Sequence, residues 1–277
     1  MIESRHERRF VHLVLFGASV IALYPFVSIL LLALNPPGKR VSGFTIPSTI
    51  SFENFTLAWQ RGNFAQALFS SAVVAVTVVA ASVAFSILAG YAFATMRFPL
   101  RNTLFVILLA GLMLPYEALI VPLYFDFRSL GLLDSRWAVI LPQIGFSVSF
   151  GTFWMRTAFW AQSGGALVEA AQLDGANTWD ILRRVLLPVS GPAIMSLSAL
   201  LFLFAWNDFL LALVLLPQNE AAQTAPLALS FFAGLRRGGE PSTIAAAALL
   251  VAFPVLIVYI FMQRRFIQGI TTGATKG

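Results

Sequence analysis

Cysteine is absent from this 277-residue chain, so disulfides, thiol catalysis and thiolate metal centres are excluded. Histidine is nearly absent: His6 and His12, both near the start, are the only imidazoles, and no histidine metal site or histidine-based catalytic triad can be built in the body of the protein. Charge is scarce as well. Asp, Glu, Lys and Arg make up 11% of the residues against 58% hydrophobic ones, whereas a soluble domain carries about 25% charged residues. There is too little polar surface for a soluble globule of this length, which places the chain in a bilayer. A G-x-x-x-x-G-K-[ST] phosphate loop is also missing. Gly38-Lys39-Arg40 and Thr275-Lys276-Gly277 lack both the leading glycine spacing and the following hydroxyl, so energy for any active process must come from outside this chain. Catalytic residues and metal ligands are expected to be none.

What is present is a series of charge-poor runs long enough to cross the hydrocarbon core, which takes roughly 20 apolar residues. Six such runs occur, at 11–34, 67–94, 103–125, 137–155, 189–216 and 243–262. Isolated strands would expose unpaired backbone groups to lipid, so all six are expected as helices. The fold class is therefore an all-α integral membrane protein with six transmembrane helices, arranged as a single transmembrane domain over 1–277. Arg5, Arg8 and Arg9 precede the first run as in a secretion signal, but its length and the lack of a small-residue cleavage site favour an uncleaved anchor.

With six spans, both termini share one side. That side holds eleven of the eighteen basic residues: Arg5, Arg8, Arg9, Arg97, Arg101, Arg156, Arg183, Arg184, Arg264, Arg265 and Lys276. The positive-inside rule makes it cytoplasmic. The net charge of +6 thus reads as orientation signals beside apolar spans, and nucleic acid is not an expected partner. The outer loops are then 35–66, 127–136 and 217–242. The last contains Pro217, Pro226, Pro241, Gly234, Gly238 and Gly239, yet carries the apolar residues Leu227, Leu229, Phe231 and Phe232. It is either packed on the membrane face or used to grip a partner.

One cytoplasmic loop, 167–188, has a readable shape. Residues 167–174 suit a short helix, and Gly175 falls where a helix ends in a left-handed turn. Asn177 or Thr178 can cap a second helix, with Asp180 in the capping-box position after Asn177 and Pro188 at the far end. Ala170 and Ala171 allow close approach of another backbone, while Glu169, Asp174, Arg183 and Arg184 supply charge at the rim. The alternative is an amphipathic hairpin on the bilayer that sinks Leu173, Trp179, Ile181 and Leu182 among headgroups.

Inside the spans, Glu117 and Asp208 are the acidic residues, and a carboxylate facing lipid is costly, so both are expected to face inward. Along straight helices Glu117 would lie about 21 Å and Asp208 about 28 Å from the cytoplasmic ends of their spans. With Tyr116, Trp206 and Asn207 they combine hydrogen-bonding groups and aromatic faces, which suits a sugar. Hydrogen bonding across helices or to a partner subunit, holding a gate closed, would use the same residues. Arg156 at the end of the fourth span is expected to snorkel. Ser82, Ser86, Gly90 and Ala94 recur every four positions and make one face of the second span thin, and residues 245–248 do the same in the last. Pro115 and Pro122 are expected to kink the third helix near Glu117.

Glu169-Ala170-Ala171, three residues, Gly175, then Val185-Leu186-Leu187-Pro188 after nine more resembles the coupling loop of permease subunits of ATP-binding-cassette importers. Val185 stands where that family commonly has isoleucine, which keeps a branched apolar side chain. The tail 263–277, the segment Phe204-Ala205-Trp206-Asn207-Asp208-Phe209, Met113-Leu114-Pro115 with Pro122-Leu123-Tyr124 and Leu130-Gly131-Leu132, and Ala89-Gly90-Tyr91-Ala92 before Arg97-Phe98-Pro99 are similar to carbohydrate-importer permeases of the maltose-permease type. The resemblance runs from the second span to the terminus. It implies the shorter six-helix permease of a sugar importer in a bacterial or archaeal plasma membrane. Its implied partners are a second permease subunit in a heterodimer, two ATPase subunits, an extracytoplasmic sugar-binding protein and membrane lipid. ATP and Mg would be bound by the partner ATPase, and this chain would bind no cofactor and not itself be an enzyme. Glu169, Ala170, Ala171, Asp174, Gly175, Leu187 and Pro188 would couple to the ATPase, and Gly269, Thr272, Gly273, Lys276 and Gly277 would reach its dimer interface. The 217–242 loop would enter the binding protein. Tyr116, Glu117, Trp206, Asn207 and Asp208 are the candidate substrate pathway. A self-sufficient secondary transporter or channel would need an inverted repeat, which is not evident. A membrane-embedded enzyme would need clustered catalytic groups.

Overall fold

A computed structural model describes residues 5–38, 44–163, 166–234 and 240–274. Every regular element among the described residues is helical. In chain order they are α1 (Arg5–Ala33), α2 (Glu53–Arg61), α3 (Phe64–Thr95), α4 (Arg101–Met113), α5 (Tyr116–Ser129), α6 (Arg136–Ser163), α7 (Ala166–Leu173), α8 (Thr178–Val189), α9 (Gly191–Asn207), α10 (Leu210–Leu215), α11 (Ala225–Ala233) and α12 (Pro241–Ala274). Parts of α1, α3, α6 and α12 are long and apolar enough to cross a membrane unaided, and two bent pairs, α4 with α5 and α8 with α9, bring the total to six if each pair is one span.

Two expected spans are broken. The run 103–125 is not one kinked helix: α4 and α5 meet at 93°. Leu114 and Pro115 are both extended, with ψ of 123° and 116°. Proline removes a donor and forces its predecessor out of the helical region, so the chain turns there. Pro122, expected to share in the kink, lies inside α5, as Pro25, Pro142 and Pro254 lie inside their helices. The run 189–216 ends as a helix at Asn207, because Asp208 takes ψ of 124° before α10 begins. Heights computed along straight helices for Glu117 and Asp208 therefore do not apply. Two helices were also absent from expectation, α2 and α11, both inside segments read as outer loops. The tail continues α12 to Ala274 rather than leaving it at 262.

Contacts divide the chain into two compact units, Met1–Ala65 with Ala228–Phe253, and Gln66–Leu227 with Pro254–Gly277. In the first, Asn54 is fully buried and fully used: its Nδ2 donates to the carbonyls of Ala33 at 2.9 Å and Asn35 at 2.6 Å, while its Oδ1 accepts from Thr243 Oγ1 at 3.1 Å. Ala33 and Asn35 end α1, where carbonyls lack helical partners, so Asn54 closes that terminus. Phe64 packs edge-on against Phe232 with centroids 5.7 Å apart. The apolar window of α1 has none of its residues buried by this chain.

The second unit is built on the thin face of α3. Ser82, Ser86 and Gly90 are buried, and a Cβ added at Gly90 would lie 2.7 Å from Met155 Cβ and 2.9 Å from the Arg156 nitrogen. On the opposite helix a Cβ at Gly151 would lie 2.1 Å from Ser86 Oγ. Small residues on both sides thus let α3 and α6 cross in close contact. The start of the 217–242 segment is tied down by polar contacts. Asp134 Oδ1 accepts from the N–H groups of Gln218 and Asn219 at 2.9 and 3.1 Å, and Arg136 donates to Ser70 Oγ and to the Ala221 carbonyl. Leu227, at the end of this stretch, is buried, and in the first unit Phe232 is buried with Leu229 and Phe231 half-buried. Arg236, Arg237, Gly238 and Gly239 lie outside the described residues.

Candidate functional site

The 166–189 segment forms a helical elbow whose bend is made by local chemistry. Gly175 has φ of +81°. Its N–H donates to the Gln172 carbonyl at 3.0 Å, and Ala176 N–H donates to the Ala171 carbonyl at 2.9 Å. That pair of bonds is a Schellman motif, which satisfies carbonyls orphaned at the end of α7. Two residues on, Asn177 caps α8: its side-chain oxygen accepts from the N–H groups of Trp179 and Asp180, both at 3.0 Å. Asp180 does not reach back to complete a capping box. Its carboxylate instead pairs with Arg184 at 3.2 Å, one turn along an exposed face.

Within α8 the backbone widens to a π-helix over Ile181–Leu186 just before Pro188. Proline offers no N–H one turn back and its ring crowds the carbonyl there, which accounts for the extra residue in that turn. After Ser190, α8 and α9 diverge by 76°.

The elbow is anchored by one apolar face. Val168, Ile181, Leu182 and Leu186 are buried in a cluster with Tyr91, Met155, Phe159, Leu197 and Leu201. Tyr91 adds a hydrogen bond from its hydroxyl to the Thr178 carbonyl at 3.0 Å and packs edge-on against Phe159. Trp154 Nε1 donates to the Ala193 carbonyl at 3.0 Å, tying α6 to the start of α9. Ile181 and Leu182 therefore do not lie among lipid headgroups, whereas Leu173, 89% exposed, and Trp179 remain uncovered. Glu169, Ala170, Asp174, Gly175 and Pro188 are exposed, and Ala171 and Leu187 are partly covered by the cluster. Of the tail residues, Gly269, Thr272 and Gly273 lie in α12, and Lys276 and Gly277 fall outside the described residues.

A second feature sits where the two broken spans meet α6. A cavity of about 610 Å³ is lined by Tyr116, Gln143, Ser147, Asn207 and Asp208 together with apolar and aromatic side chains that include Phe146, Phe150 and Phe204. Pro115 places Tyr116 at the first turn of α5, and its ring lies 5.8 Å from that of Phe146. The extended Asp208 lets α9 stop and α10 restart, and the Leu211 and Ala212 N–H groups opening α10 point at its carboxyl. The Gln143 amide also faces that carboxyl, without hydrogen-bond geometry. Asp208 Oδ1 and both Gln143 amide atoms have no hydrogen-bond partner among the described residues.

Tyr116, Asn207 and Asp208 are thus brought together, and two other expected residues are not. Trp206, 3% exposed, stacks on Phe202 at 5.4 Å, and neither residue lines the cavity. Glu117 is exposed and does not line the cavity. Arg156 lies over the ring of Phe105 at 4.1 Å and donates to the Phe93 carbonyl at 3.3 Å, so it packs between helices instead of snorkelling. Gln143 and Ser147 escaped the sequence-based search because it looked for charge inside spans. The signal that could have found them is two uncharged polar residues one helical turn apart on a single face of the fourth span.

Apolar spans, two of them broken beside a cavity, with a helical elbow packed against α3, α6 and α9, make this a helical membrane protein. Residues 82–272, well over half of the chain, match the family described as binding-protein-dependent transport system inner membrane component. The chain belongs to that family. It is 35% identical over 257 residues to the trehalose transport system permease protein SugB of Mycobacterium tuberculosis, covering 92% of this chain and 93% of the relative. It is 31% identical to the arabinooligosaccharides transport system permease protein AraQ of Halalkalibacterium halodurans, covering 93% and 92%. The fold is similar to that in the crystal structure of a bacterial ABC transporter involved in the import of the acidic polysaccharide alginate, with a TM-score of 0.77, 24% identity, and coverage of 96% of this chain and 99% of that one.

Proposed function

We propose that this chain is the membrane-spanning permease subunit of an ATP-driven sugar importer, forming half of a translocation pathway and coupling to a separate ATPase through residues 169–188. The observation that carries the coupling role is the construction of the elbow. One face is locked into the helical core by Val168, Ile181, Leu182 and Leu186, while Glu169, Ala170, Asp174 and Gly175 stay exposed on the other. A bend fixed on one side by backbone hydrogen bonds and on the other by the Asn177 side chain, and seated in a packed core, passes on a push without deforming, because packed interiors yield little.

In this scheme ATP and Mg are bound and hydrolysed by two partner ATPase subunits, and this chain contributes no catalytic residue. A second permease completes the pathway, and an extracytoplasmic binding protein delivers the sugar. The positive-inside bias of the sequence supports cytoplasmic termini in an inner membrane, which puts the elbow and the end of α12 on the ATPase side. Relatives named for trehalose, arabinooligosaccharides and diacetylchitobiose support sugars as the transported class. The cavity lined by Tyr116, Asn207 and Asp208 is the stretch of pathway belonging to this subunit. Glu117 and Trp206, next in sequence to the lining residues Tyr116 and Asn207, complete the proposed pathway residues without lining the cavity.

The test is reconstitution. The chain is purified with the permease, ATPase and binding protein encoded beside it and placed in liposomes, and ATP hydrolysis is followed together with entry of a panel of labelled sugars. Uptake that needs ATP, the ATPase and the binding protein is the expected result. Uptake that persists without the ATPase would make the chain a self-sufficient transporter and overturn the proposal.

A further inference from the structure

Deepening the importer proposal, on which it rests, we infer that Gln143 and Asp208 form the polar end of a binding site, inside the cavity of this subunit, for an uncharged, hydroxyl-rich solute. Three observations converge. The first is an unmet demand for hydrogen bonds. Gln143 is 7% exposed and its amide faces the Asp208 carboxyl, yet neither amide atom nor Asp208 Oδ1 makes a hydrogen bond of normal geometry among the described residues. A buried amide without partners is unfavourable, and such groups in native proteins are nearly always satisfied by something. An amide offers two donors and an acceptor, and a carboxylate offers acceptors only, which together match the paired donor and acceptor character of neighbouring hydroxyl groups.

The second observation is the character of the wall. The rings of Tyr116, Phe146, Phe150 and Phe204 line the same cavity, the first two 5.8 Å apart. Flat apolar surface beside a few convergent polar groups is the common design of small-molecule sites, and it suits a sugar ring, whose C–H face is apolar and whose edge is polar. A volume of about 610 Å³ falls within the range of such sites. The third is charge. Asp208 is the one charged residue lining the cavity among the described residues, and it is acidic. An anionic solute would meet repulsion with no Arg or Lys to offset it, whereas an uncharged polyol would not.

The geometry also explains why Asp208 breaks its helix. Leaving the helical conformation turns the carboxyl back toward the N–H groups of Leu211 and Ala212. Those N–H groups and the Gln143 amide surround the carboxyl, and Oδ1 makes no hydrogen bond of normal geometry among the described residues. Gln143, one turn from Ser147 on α6, stands opposite as the second arm.

The test uses the reconstituted complex and whichever sugar of the panel the wild-type chain transports, delivered on saturating binding protein. Gln143→Leu keeps the side-chain bulk and deletes both hydrogen-bonding atoms. The expected result is about a fivefold to tenfold fall in sugar moved per ATP hydrolysed, with hydrolysis itself retained, as follows from removing hydrogen bonds made only to the solute. Gln143→Asn, which keeps the amide on a shorter stem, recovers part of that loss. If Gln143→Leu does not assemble with the ATPase, the same ratio is read on Gln143→Asn, where a twofold or larger fall is expected. A ratio unchanged in both variants, or uptake and hydrolysis falling together, would overturn the inference and leave Gln143 a packing or gate residue. Wild-type uptake of an acidic sugar as fast as its uncharged counterpart would overturn the charge argument. Failure of the wild-type complex to move any sugar would instead overturn the importer proposal itself, a separate result.

Discussion

The elbow and the cavity are made by opposite routes. Every bond that shapes the elbow bend is local: Gly175 to Gln172, Ala176 to Ala171, and Asn177 to Trp179 and Asp180. The cavity instead gathers side chains from α5, α6, α9 and α10, with Tyr116 and Asp208 more than ninety positions apart in the sequence. The elbow bend has its backbone groups hydrogen-bonded and one apolar face covered, whereas the cavity keeps an amide and a carboxylate oxygen without a hydrogen bond of normal geometry among the described residues. A device that passes on force profits from having no slack. A device that takes up and releases a solute needs groups left open for it.

If that contrast holds, damage to the elbow separates the chain from its ATPase, and damage to the cavity leaves attachment alone. The largest effect is expected from Leu182→Ala, which empties a buried position under α8. Loss of a core leucine costs about 2–5 kcal/mol, so the elbow should detach from its anchor, read as loss of ATPase on co-purification. Gly175→Val comes next. A Cβ there meets nothing within 4 Å among the described residues, so the penalty is purely conformational. It is about 1–2 kcal/mol for a side chain held at positive φ, and the expected outcome is weakened attachment or hydrolysis uncoupled from uptake. Asn177→Ala removes two accepted hydrogen bonds at the start of α8 and should cost about 1 kcal/mol, seen as faster proteolysis of the 166–189 segment with the complex still assembled. Asp208→Asn is expected to change attachment least while altering uptake. If detachment is its only effect, the cavity belongs to the same mechanical unit as the elbow and the contrast fails.

The elbow was legible because its instructions lie within a dozen residues: a glycine where only φ above zero fits, an asparagine able to cap, a proline at the end. Even there, which apolar residues were covered was not readable. Leu173, Trp179, Ile181 and Leu182 look alike in composition, and only the positions of Tyr91, Met155 and Phe159 decide that the latter pair is inside. In the cavity, Tyr116, Asn207 and Asp208 were found by polarity within apolar runs. Trp206 was read with them on the same ground; it stacks on Phe202, one turn back on α9, and does not line the cavity. Gln143 was missed because an uncharged amide raises no alarm in a hydropathy count.

The two broken spans show where sequence-level inference reaches its end. Pro115 announces a possible bend, but Pro25, Pro122, Pro142 and Pro254 carry the same signal and sit inside helices. Whether a proline bends or ends a helix depends on whether neighbouring groups satisfy the freed carbonyl, which is a property of the packed bundle.

By itself the sequence determined that the chain is a helical membrane protein, that it carries no phosphate loop or thiol chemistry, and that a capped elbow lies between its fourth and fifth apolar runs. These follow from composition and from interactions spanning a few residues. Only the tertiary structure decided that α4 and α5 meet at 93°, that Gln143 faces Asp208, and which face of the elbow is anchored. Those outcomes depend on contacts between residues far apart in the chain, whose free energies do not exist until the helices are packed.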